Sequence, residues 1–298
     1  MTTAGRVLLT GSGGFIGSAV AVLLARRGAD MVAPRFAELD LTDRRAVLRH
    51  LGKAGISTVL HLASPGMRAD PHDVSVVRRE RAMIEALCAV LPEGSRFVYA
   101  GSMSEYGRSG LLDEAMACQP QTAYGRAKLE AGEWLRRVAP DRGIVPVVAR
   151  IFGAYGPGEE TRRLLPVVLQ ALRAGRPVDL SDGYQIRDFV HVRDVADALL
   201  QLAELPAPPD CVNIGTGEGL QVRAVIERLG QELGRPSADL RFGARERSPH
   251  DLDVQVAKVS RLRAALGTAP LQRLAGPGPI AALMAPEALL GKNAGPKP

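Results

Sequence analysis

Cysteine is scarce in this chain of 298 residues, and its distribution argues against two kinds of site. The three cysteines, Cys88, Cys118 and Cys211, are far apart, odd in number and in no Cys-x-x-Cys pattern. A disulfide framework needs an even set of cysteines, and a structural zinc site needs paired ligands. We therefore expect buried or incidental thiols and no metal site.

Long hydrophobic runs are also missing. No apolar stretch approaches the roughly 18 residues that a membrane helix requires, and residues 1–6 lead into a short apolar strand without a signal-peptide pattern. Apolar residues make up 46% of the chain and charged residues 23%, the balance of a soluble globular protein of one or two domains. We expect a cytoplasmic protein with no membrane partner.

Positive charge is present but not clustered. The formal net charge is +6 and the pI is near 9.5. Aromatic residues are only 4% of the chain, and no basic run carries interleaved aromatic residues, as a nucleic-acid surface would. The composition therefore favours a small phosphate-bearing molecule as partner, and no nucleic acid.

Short apolar runs alternate with amphipathic segments over the first 150 residues. Strands buried on both faces of a parallel sheet are almost continuously apolar, and the connecting helices cover the sheet. The pattern predicts an α/β fold, with a Rossmann-type doubly wound parallel sheet. The predicted strands are 6–10, 31–33, 58–63, 96–100 and 145–150, and the predicted helices are 18–27, 43–54, 73–91 and 124–138.

After residue 158 the pattern changes to helices mixed with short strands, with helices predicted at 162–174 and 222–233 and a strand at 211–214. This change predicts a smaller, interleaved C-terminal α/β region that grips a substrate. The predicted organisation is a dinucleotide-binding domain at 1–158 that also takes in part of 180–215, a substrate-binding region at 159–285, and a flexible tail at 286–298.

A glycine-rich turn follows the first predicted strand and opens the first helix. Gly11, Gly14 and Gly17 have the spacing Gly-x-x-Gly-x-x-Gly. Glycine permits a tight turn, close approach to a pyrophosphate and close packing of helix against strand. The free N–H groups of the helix N-terminus attract anions. In this position the turn predicts a dinucleotide-binding site.

The end of the second strand bears on which dinucleotide is bound. A carboxylate there accepts hydrogen bonds from a ribose 2′-hydroxyl, whereas an arginine accommodates a 2′-phosphate. That end falls at Pro34-Arg35, which offers an arginine and no acid. We therefore predict NADP, used as NADPH, and leave NAD open. Asp40 and Leu41 are expected to meet the adenine edge.

Tyr124 and Lys128 are four residues apart on a predicted helix, downstream of the serine-rich segment 101–104. Positions i and i+4 share a helix face, so the Lys128 ammonium is expected to lie near the Tyr124 phenol. A nearby cation lowers the pKa of a phenol from about 10, and we expect Tyr124 to exchange a proton close to neutrality.

With these motifs the chain resembles the extended short-chain dehydrogenase/reductase family. The resemblance is to its nucleotide-sugar epimerase, dehydratase and reductase branch, and most of all to reductases of nucleoside-diphosphate (NDP) 4-keto-6-deoxyhexoses. It covers about residues 6–262, because matching segments recur in order at 10–17, 61–63, 97–107, 124–128, 150–158, 187–194 and 213–217.

The resemblance implies roles for individual residues. Ser102 would donate a hydrogen bond to the reacting oxygen, Tyr124 would transfer the proton, and Lys128 would lower the Tyr124 pKa and hold the nicotinamide ribose. The implied cofactor contacts are Gly11, Gly14, Phe15, Ile16, Gly17, Arg35, Asp40, Leu41, Leu62, Ala63, Ser64, Tyr124, Lys128 and Ile151.

The resemblance also implies an NDP-sugar substrate, contacted by Ser102, Ser104, Arg187 and Arg247, with Arg245 as an alternative to Arg247. Arginine suits a diphosphate because its planar fork donates two parallel hydrogen bonds. An internal ion pair to Asp188 or Asp194 is the alternative role for Arg187. A homodimer through the helices near 73–91 and 124–138 is implied as well.

Departures from the family pattern narrow the predicted reaction. Dehydratases of the branch carry an Asp-Glu pair after the catalytic Ser or Thr, but here Met103 and Ser104 follow, and neither serves as an acid or base. Gly153 stands where most relatives have an asparagine that helps bind the diphosphate. We predict NADPH-dependent reduction of a keto group, at C4 with C3 left open. The alternatives are an NAD-dependent NDP-sugar 4-epimerase, a reductase of a non-nucleotide ketone, and a non-catalytic dinucleotide-binding regulator.

Overall fold

The computed structural model describes residues 5–65, 73, 75–248, 250–267, 274 and 278–289. The strands of this part of the chain are β1 Arg6–Thr10, β2 Met31–Val32, β3 Ile56–His61, β4 Arg96–Ser102, β5 Gly110–Leu112, β6 Val145–Ile151, β7 Gly153–Tyr155, β8 Val178–Leu180, β9 Ile186–His191, β10 Cys211–Ile214, β11 Gly219–Gln221, β12 Leu240–Phe242 and β13 Val254–Ala257.

The helices are α1 Phe15–Arg26, α2 Arg44–Leu51, α3 Ser75–Cys88, α4 Ala123–Val138, α5 Leu164–Arg173, α6 Val192–Glu204, α7 Val222–Glu232, α8 Ser260–Leu266 and α9 Ile280–Leu283. Single 3-10 turns occur at Met103–Glu105, Pro140–Arg142, Ser237–Asp239 and Pro286–Leu289. The last of these begins the predicted tail, and residues 290–298 lie outside the described residues.

The main sheet is parallel, with the strand order β10-β6-β4-β3-β1-β2. Alternate strand residues face opposite layers: Val7 and Leu9 of β1 pack with α1 and α6, whereas Leu8 packs with α2 and α3. The predicted Rossmann-type α/β fold is confirmed. Because β2 and β3 lie on opposite sides of β1, a crevice forms at the carboxyl ends of β1 and β3, where such sheets bind ligands.

At one edge the described part of the sheet ends with β2, which has only two residues. The chain then turns and reaches α2 by residue 44, with Leu39 and Leu41 buried as anchors. The Asp43 carboxylate caps α2 by accepting the N–H groups of Arg45 (2.9 Å) and Ala46 (3.0 Å). This short passage places residues 33–43 along the carboxyl edge of the sheet.

The rest of the chain is interleaved with the main sheet. Strands β11, β9, β13 and β5 form a second sheet, with β7 also paired to β9, and β8 pairs with β12. A separate hydrophobic core packs α5 against α7 in this region. Two later elements return to the main sheet, since α6 packs on α1 and β10 pairs with β6. The division into domains at residue 158 stays a prediction.

In the part of the chain that the structure covers, no helix is both long enough and apolar enough to cross a membrane. Cys88, Cys118 and Cys211 are free thiols, and Cys88 and Cys211 are buried. No group of His, Cys, Asp and Glu side chains among the described residues could hold a metal ion.

Candidate active site

The glycine turn after β1 is packed so tightly that two of its positions leave no space for a side chain. Gly11 has φ +73°, and a Cβ atom there would lie 2.6 Å from the Ala63 backbone nitrogen. At Gly17 a Cβ atom would lie 1.9 Å from the Gly11 carbonyl oxygen. The third glycine, Gly14, is the N-cap of α1, and no side chain of the described residues caps it. The turn thus presents uncapped backbone N–H groups of the kind that bind phosphate.

Other predicted cofactor residues surround this turn. Phe15 and Ile16 begin α1 and pack against the core. Leu62 and Ala63 follow β3 and are tied to β1, because their N–H groups donate to Thr10 (3.2 Å to its carbonyl oxygen and 3.3 Å to its hydroxyl). Ile151 ends β6 and is buried. These residues all lie at the carboxyl ends of parallel strands or just beyond them.

Arg35 is exposed beyond the end of β2, and an acid that was not predicted from sequence lies beside it. The Glu38 carboxylate accepts the Arg35 backbone N–H at 2.8 Å. The Asp40 carboxylate accepts hydrogen bonds from both the backbone N–H (2.8 Å) and the hydroxyl (2.7 Å) of Thr42. It is therefore engaged within its own loop. Leu41 is buried. Contrary to the prediction, this strand end therefore has an acid, Glu38, beside its arginine.

Ser102, Tyr124 and Lys128 come together between β4 and α4. Ser102 is the buried last residue of β4, and Tyr124 and Lys128 lie on the first two turns of α4. The Ser102 side chain faces the Tyr124 phenol closely enough to lower the pKa of that phenol. The Lys128 ammonium lies 5.9 Å from the centre of the Tyr124 ring. This is the arrangement expected of a proton donor, a hydrogen-bonding partner and a nearby cation.

Two local features place α4 against Ser102. The Thr122 hydroxyl caps α4 by accepting the Gly125 N–H at 3.1 Å. A Cβ atom at Gly125 would lie 2.5 Å from the Ser104 carbonyl oxygen, so the absence of a side chain lets the helix approach the serine loop closely. Ser104 itself is partly buried, and its N–H donates to the Ser102 hydroxyl at 3.2 Å.

The expectation that Tyr124 titrates near neutrality is wrong for this structure. Burial raises the pKa of the Tyr124 phenol above its ordinary value and outweighs the opposing effect of the Lys128 ammonium. The Glu80 carboxylate adds to the rise in the Tyr124 pKa, while the Ser102 side chain lowers it. Lys128 acts in the predicted direction, but its effect is not the largest one.

Glu80, a buried carboxylate of α3, was not predicted from sequence. It pairs with the Lys128 ammonium at 2.6 Å and accepts hydrogen bonds from Tyr99 and Ser64, each at 2.8 Å. In the run Arg78-Arg79-Glu80-Arg81 it looks like part of a solvated face. A signal was nevertheless present, because Glu80 shares the buried face of the helix with Val76, Ile84 and Leu87.

A second buried ion pair, between Glu105 and Arg150, adjoins the backbone of Ser102. One oxygen of Glu105 accepts the Ser102 backbone N–H at 2.8 Å, and the other pairs with Arg150 at 2.7 Å. The Arg150 guanidinium also lies over the Tyr106 ring, 4.7 Å from its centre. Burial raises the pKa of Glu105, and Arg150 opposes that rise. Both oxygens of this carboxylate are therefore engaged, and one of them holds the Ser102 backbone.

The two predicted diphosphate arginines converge on one acidic segment. Arg187, on β9, binds the Asp251 carboxylate and the Leu252 carbonyl oxygen (2.6 Å). Arg247 pairs with Asp253 at 3.0 Å. The internal partner of Arg187 is thus Asp251 rather than the Asp188 or Asp194 considered from sequence. Their role in substrate binding stays a prediction.

Gly153 has a structural explanation. A Cβ atom there would lie 2.7 Å from the Asp188 carbonyl oxygen, because β7 runs directly beside β9. Asp188 in turn accepts N–H groups from Thr216 (2.8 Å), Gly217 (2.9 Å) and Ala257 (3.1 Å), which fixes the β9 backbone. An asparagine at position 153 would require β7 and β9 to separate. The close packing of these two strands therefore explains why glycine occupies this position.

Comparison with known proteins identifies relatives of the whole arrangement. Residues 7–215 match the model of the NAD dependent epimerase/dehydratase family. The chain is 30% identical to a dTDP-6-deoxy-L-talose 4-dehydrogenase (NAD(P)(+)) of Kitasatospora kifunensis, covering 92% of this chain and 93% of the relative. It is 28% identical to a UDP-glucose 4-epimerase of Streptomyces lividans, covering 89% and 92%. Among solved structures, MoeE5 in complex with UDP-glucose and NAD superposes with a TM-score of 0.77 at 29% identity, covering 91% and 95%.

Proposed function

The chain belongs to the NAD dependent epimerase/dehydratase family, and we propose that it uses NADPH to reduce the C4 keto group of an NDP-4-keto-6-deoxyhexose. The match confirms the resemblance to extended short-chain dehydrogenases/reductases. One observation carries the proposal: Ser102, Tyr124 and Lys128 converge, while Met103 and Ser104 supply no second acid-base pair. The site therefore supports carbonyl chemistry without dehydration.

The glycine turn fits a dinucleotide. Its close packing at Gly11 and Gly17 leaves an uncapped helix N-terminus where a pyrophosphate would be held. Arg35 would face the 2′-phosphate of NADP, although Glu38 beside it keeps NAD in consideration. When bound, the dinucleotide supplies the hydride. The relative from Kitasatospora is named for use of NAD(P), and MoeE5 was solved with NAD.

Tyr124 donates the proton in the proposed mechanism. As negative charge develops on the carbonyl oxygen, the Tyr124 phenol gives it a proton and Ser102 stabilises it through a hydrogen bond. Glu105 keeps Ser102 in position through the backbone N–H. Lys128, whose ammonium is fixed at 2.6 Å from Glu80, stabilises the phenolate that remains and would also bind the nicotinamide ribose.

Arg187 and Arg247 would bind the diphosphate of the nucleotide sugar. Their partners Asp251 and Asp253 hold both guanidinium groups near one segment. A diphosphate would compete with these carboxylates for the arginine N–H groups. The names of the relatives, which refer to dTDP- and UDP-linked sugars, support this class of substrate.

An NDP-sugar 4-epimerase is the second candidate. The Streptomyces relative, at 28% identity, carries that name, and the same Ser-Tyr-Lys arrangement can oxidise and re-reduce a sugar. An epimerase would retain tightly bound NAD through purification. It would interconvert NDP-hexoses without net consumption of reduced cofactor.

The proposed function is tested by following NADPH oxidation with a panel of dTDP-, UDP-, GDP- and CDP-linked 4-keto-6-deoxyhexoses, with NADH in parallel. We expect oxidation with at least one of these substrates, and a roughly 10²- to 10⁴-fold lower kcat for Tyr124→Phe, because the proton donor is lost. Arg126→Ala, on the exposed face of the same helix, is the control and should retain activity. Turnover by Tyr124→Phe at the wild-type rate would contradict the assignment.

A further inference from the structure

We propose that Glu80 is a positioning residue, which fixes the Lys128 ammonium through a buried ion pair and keeps Tyr124 in the protonated form that donates to a ketone. The inference rests on the proposed function, because it assigns a direction to the proton transfer at the same site. It concerns a residue on α3, a helix that supplies none of the predicted catalytic side chains.

The geometry shows that Glu80 is built into the site. Its side chain is 0% exposed and that of Lys128 is 3% exposed, with 2.6 Å between carboxylate oxygen and ammonium nitrogen. The same oxygen accepts the Tyr99 hydroxyl, and the other oxygen accepts the Ser64 hydroxyl, each at 2.8 Å. These contacts favour the ionised carboxylate and lower the Glu80 pKa despite its burial.

Three other elements converge on this one carboxylate. Ser64 follows β3, Tyr99 belongs to β4 and Lys128 belongs to α4. The Lys128 ammonium also lies 4.8 Å from the centre of the Tyr99 ring, so its position is fixed from two sides. A buried ion pair is weak evidence for stability, because the cost of desolvation can exceed the attraction. Orientation of Lys128 accounts better for the pair.

The positive and negative charges near Tyr124 are equal in number: Lys128 is offset by Glu80, and Arg150 by Glu105. Lys128 is on its own helix, Glu80 faces it from α3, Tyr99 from β4, and Glu105 from the 3-10 turn after β4. Glu105 is compensated by Arg150. His61, at the end of β3, faces Glu80 and Lys128, but burial lowers its pKa to about 4, so it is neutral at pH 7. The charge of Glu80 therefore offsets that of Lys128.

This balance has a chemical consequence. A lysine without a partner would favour the phenolate, which accepts a proton from a sugar hydroxyl and so begins an oxidation. With Glu80 beside the lysine, the neutral phenol is favoured, and the neutral phenol is the form that protonates a ketone. The arrangement thus suits reduction better than a reaction that starts from the alcohol.

Glu80→Gln tests the inference because it removes the charge and keeps the shape. We expect the alkaline loss of reductase activity to move to lower pH by about one to three units. The direction is the same whether Tyr124 or Lys128 loses its proton first, because a negative charge has been removed from beside both. Glu80→Asp keeps the charge and should restore the alkaline limb toward its wild-type position.

Glu85→Gln is the matched control, since Glu85 lies on the same helix but pairs with Arg81 at the surface. Its pH profile should equal that of the wild type. A Glu80→Gln enzyme that loses activity equally at all pH values, with its alkaline limb where the wild type has it, would show a merely structural role and overturn the inference.

A second measurement needs no Glu80 variant and no sugar. The phenolate absorbance of the wild type minus that of Tyr124→Phe, recorded against pH, isolates the ionisation of Tyr124. We expect no ionisation below the ordinary tyrosine value of about 10. Ionisation near neutrality would overturn the inference, whatever the substrate. If no keto sugar supported NADPH oxidation, that result would contradict the proposed function but not the assigned protonation state of Tyr124.

Discussion

Gly17 is the position in the glycine turn after β1 with the least space for a side chain. Its missing Cβ atom would lie 1.9 Å from the Gly11 carbonyl oxygen, whereas no atom of the described residues lies within 4 Å of a Cβ atom at Gly13. We expect Gly17→Ala to lower the free energy of unfolding by about 1–3 kcal/mol, because helix and turn must separate, and to weaken dinucleotide binding. Urea unfolding and a binding titration measure the two effects.

Gly13→Ala is the control for this prediction, since it adds the same methyl group to the same turn. It should change the free energy of unfolding by much less than Gly17→Ala. Equal effects of the two substitutions would show that contact with the Gly11 carbonyl oxygen does not determine the outcome.

Single residues were predictable from sequence where a local motif specifies them. Tyr124 and Lys128 share a helix face because of their spacing, and Ser102 follows from the run before Tyr106-Gly107. Glu80 and Glu38 were not predicted, because their roles depend on contacts rather than on motifs. The Tyr124 pKa was misjudged for a related reason, since burial and the Glu80 charge cannot be inferred from the spacing of two residues.

At the scale of elements, the N-terminus of α6 depends on a neutral histidine. His191 is the N-cap, and its Nδ1 accepts the Arg193 N–H at 3.2 Å, so Nε2 carries the proton and donates to the Leu283 carbonyl oxygen at 3.0 Å. Burial lowers the pKa of His191 to about 4. Protonation of Nδ1 would abolish the cap.

This cap predicts a dependence of stability on pH. The folded pKa of about 4 lies below the value of about 6.5 in an unfolded chain, so the unfolded state binds the proton first as the pH falls. The contribution of His191 is complete above about pH 6.5 and is lost toward about pH 4, by up to about 3 kcal/mol.

The comparison is with His191→Asn, which can cap the helix but does not titrate. Urea unfolding at a series of pH values should show the wild type losing stability relative to His191→Asn as the pH falls from about 6.5 to about 4. A constant difference between the two proteins over that range would mean that His191 is not held neutral by the fold.

Several elements were predicted closely from sequence, and others were missed. The strands at 6–10 and 211–214 are confirmed to the residue, and α4 begins one residue before its prediction. The 13 residues of α6 went unpredicted as a helix. Strands of three residues such as β5, β7 and β11 gain their hydrogen bonds from distant segments, so no local pattern reveals them.

At the scale of the whole molecule, the proposed substrate grip joins segments far apart in the chain. Arg187 is on β9, and its partner Asp251 belongs to the segment that also binds Arg247. We expect Arg187→Ala to raise the KM for an NDP-sugar by roughly 10- to 100-fold with a smaller change in kcat. The reason is that a charge-assisted hydrogen bond contributes about 1.5–3 kcal/mol.

Arg173→Ala, at the exposed end of α5, serves as the control in the same steady-state assay. It should leave the KM unchanged. An Arg187→Ala enzyme with the wild-type KM would show that Arg187 does not bind the diphosphate of the substrate.

Pairings between distant segments of the chain could not be predicted from sequence. A smaller region after residue 158 follows from the change in pattern. The pairing of β5 with β13, which links residue 110 to residue 255, is a contact that no single window of sequence contains. The proposed homodimer through α3 and α4 stays a prediction, and light scattering of the purified protein would test it.

Transfer of deuterium tests net ketone reduction most directly. The enzyme is incubated with an NDP-4-keto-6-deoxyhexose and NADPH that carries deuterium at the transferable position of the nicotinamide ring, and the sugar product is analysed by mass spectrometry and NMR. Net reduction predicts one deuterium at C4 of the product for each NADPH oxidised, and no transfer by Tyr124→Phe. Recovery of the keto sugar unchanged, without deuterium and without NADPH consumption, would contradict reduction, and interconversion of NDP-hexoses at C4 without added NADPH would indicate the 4-epimerase.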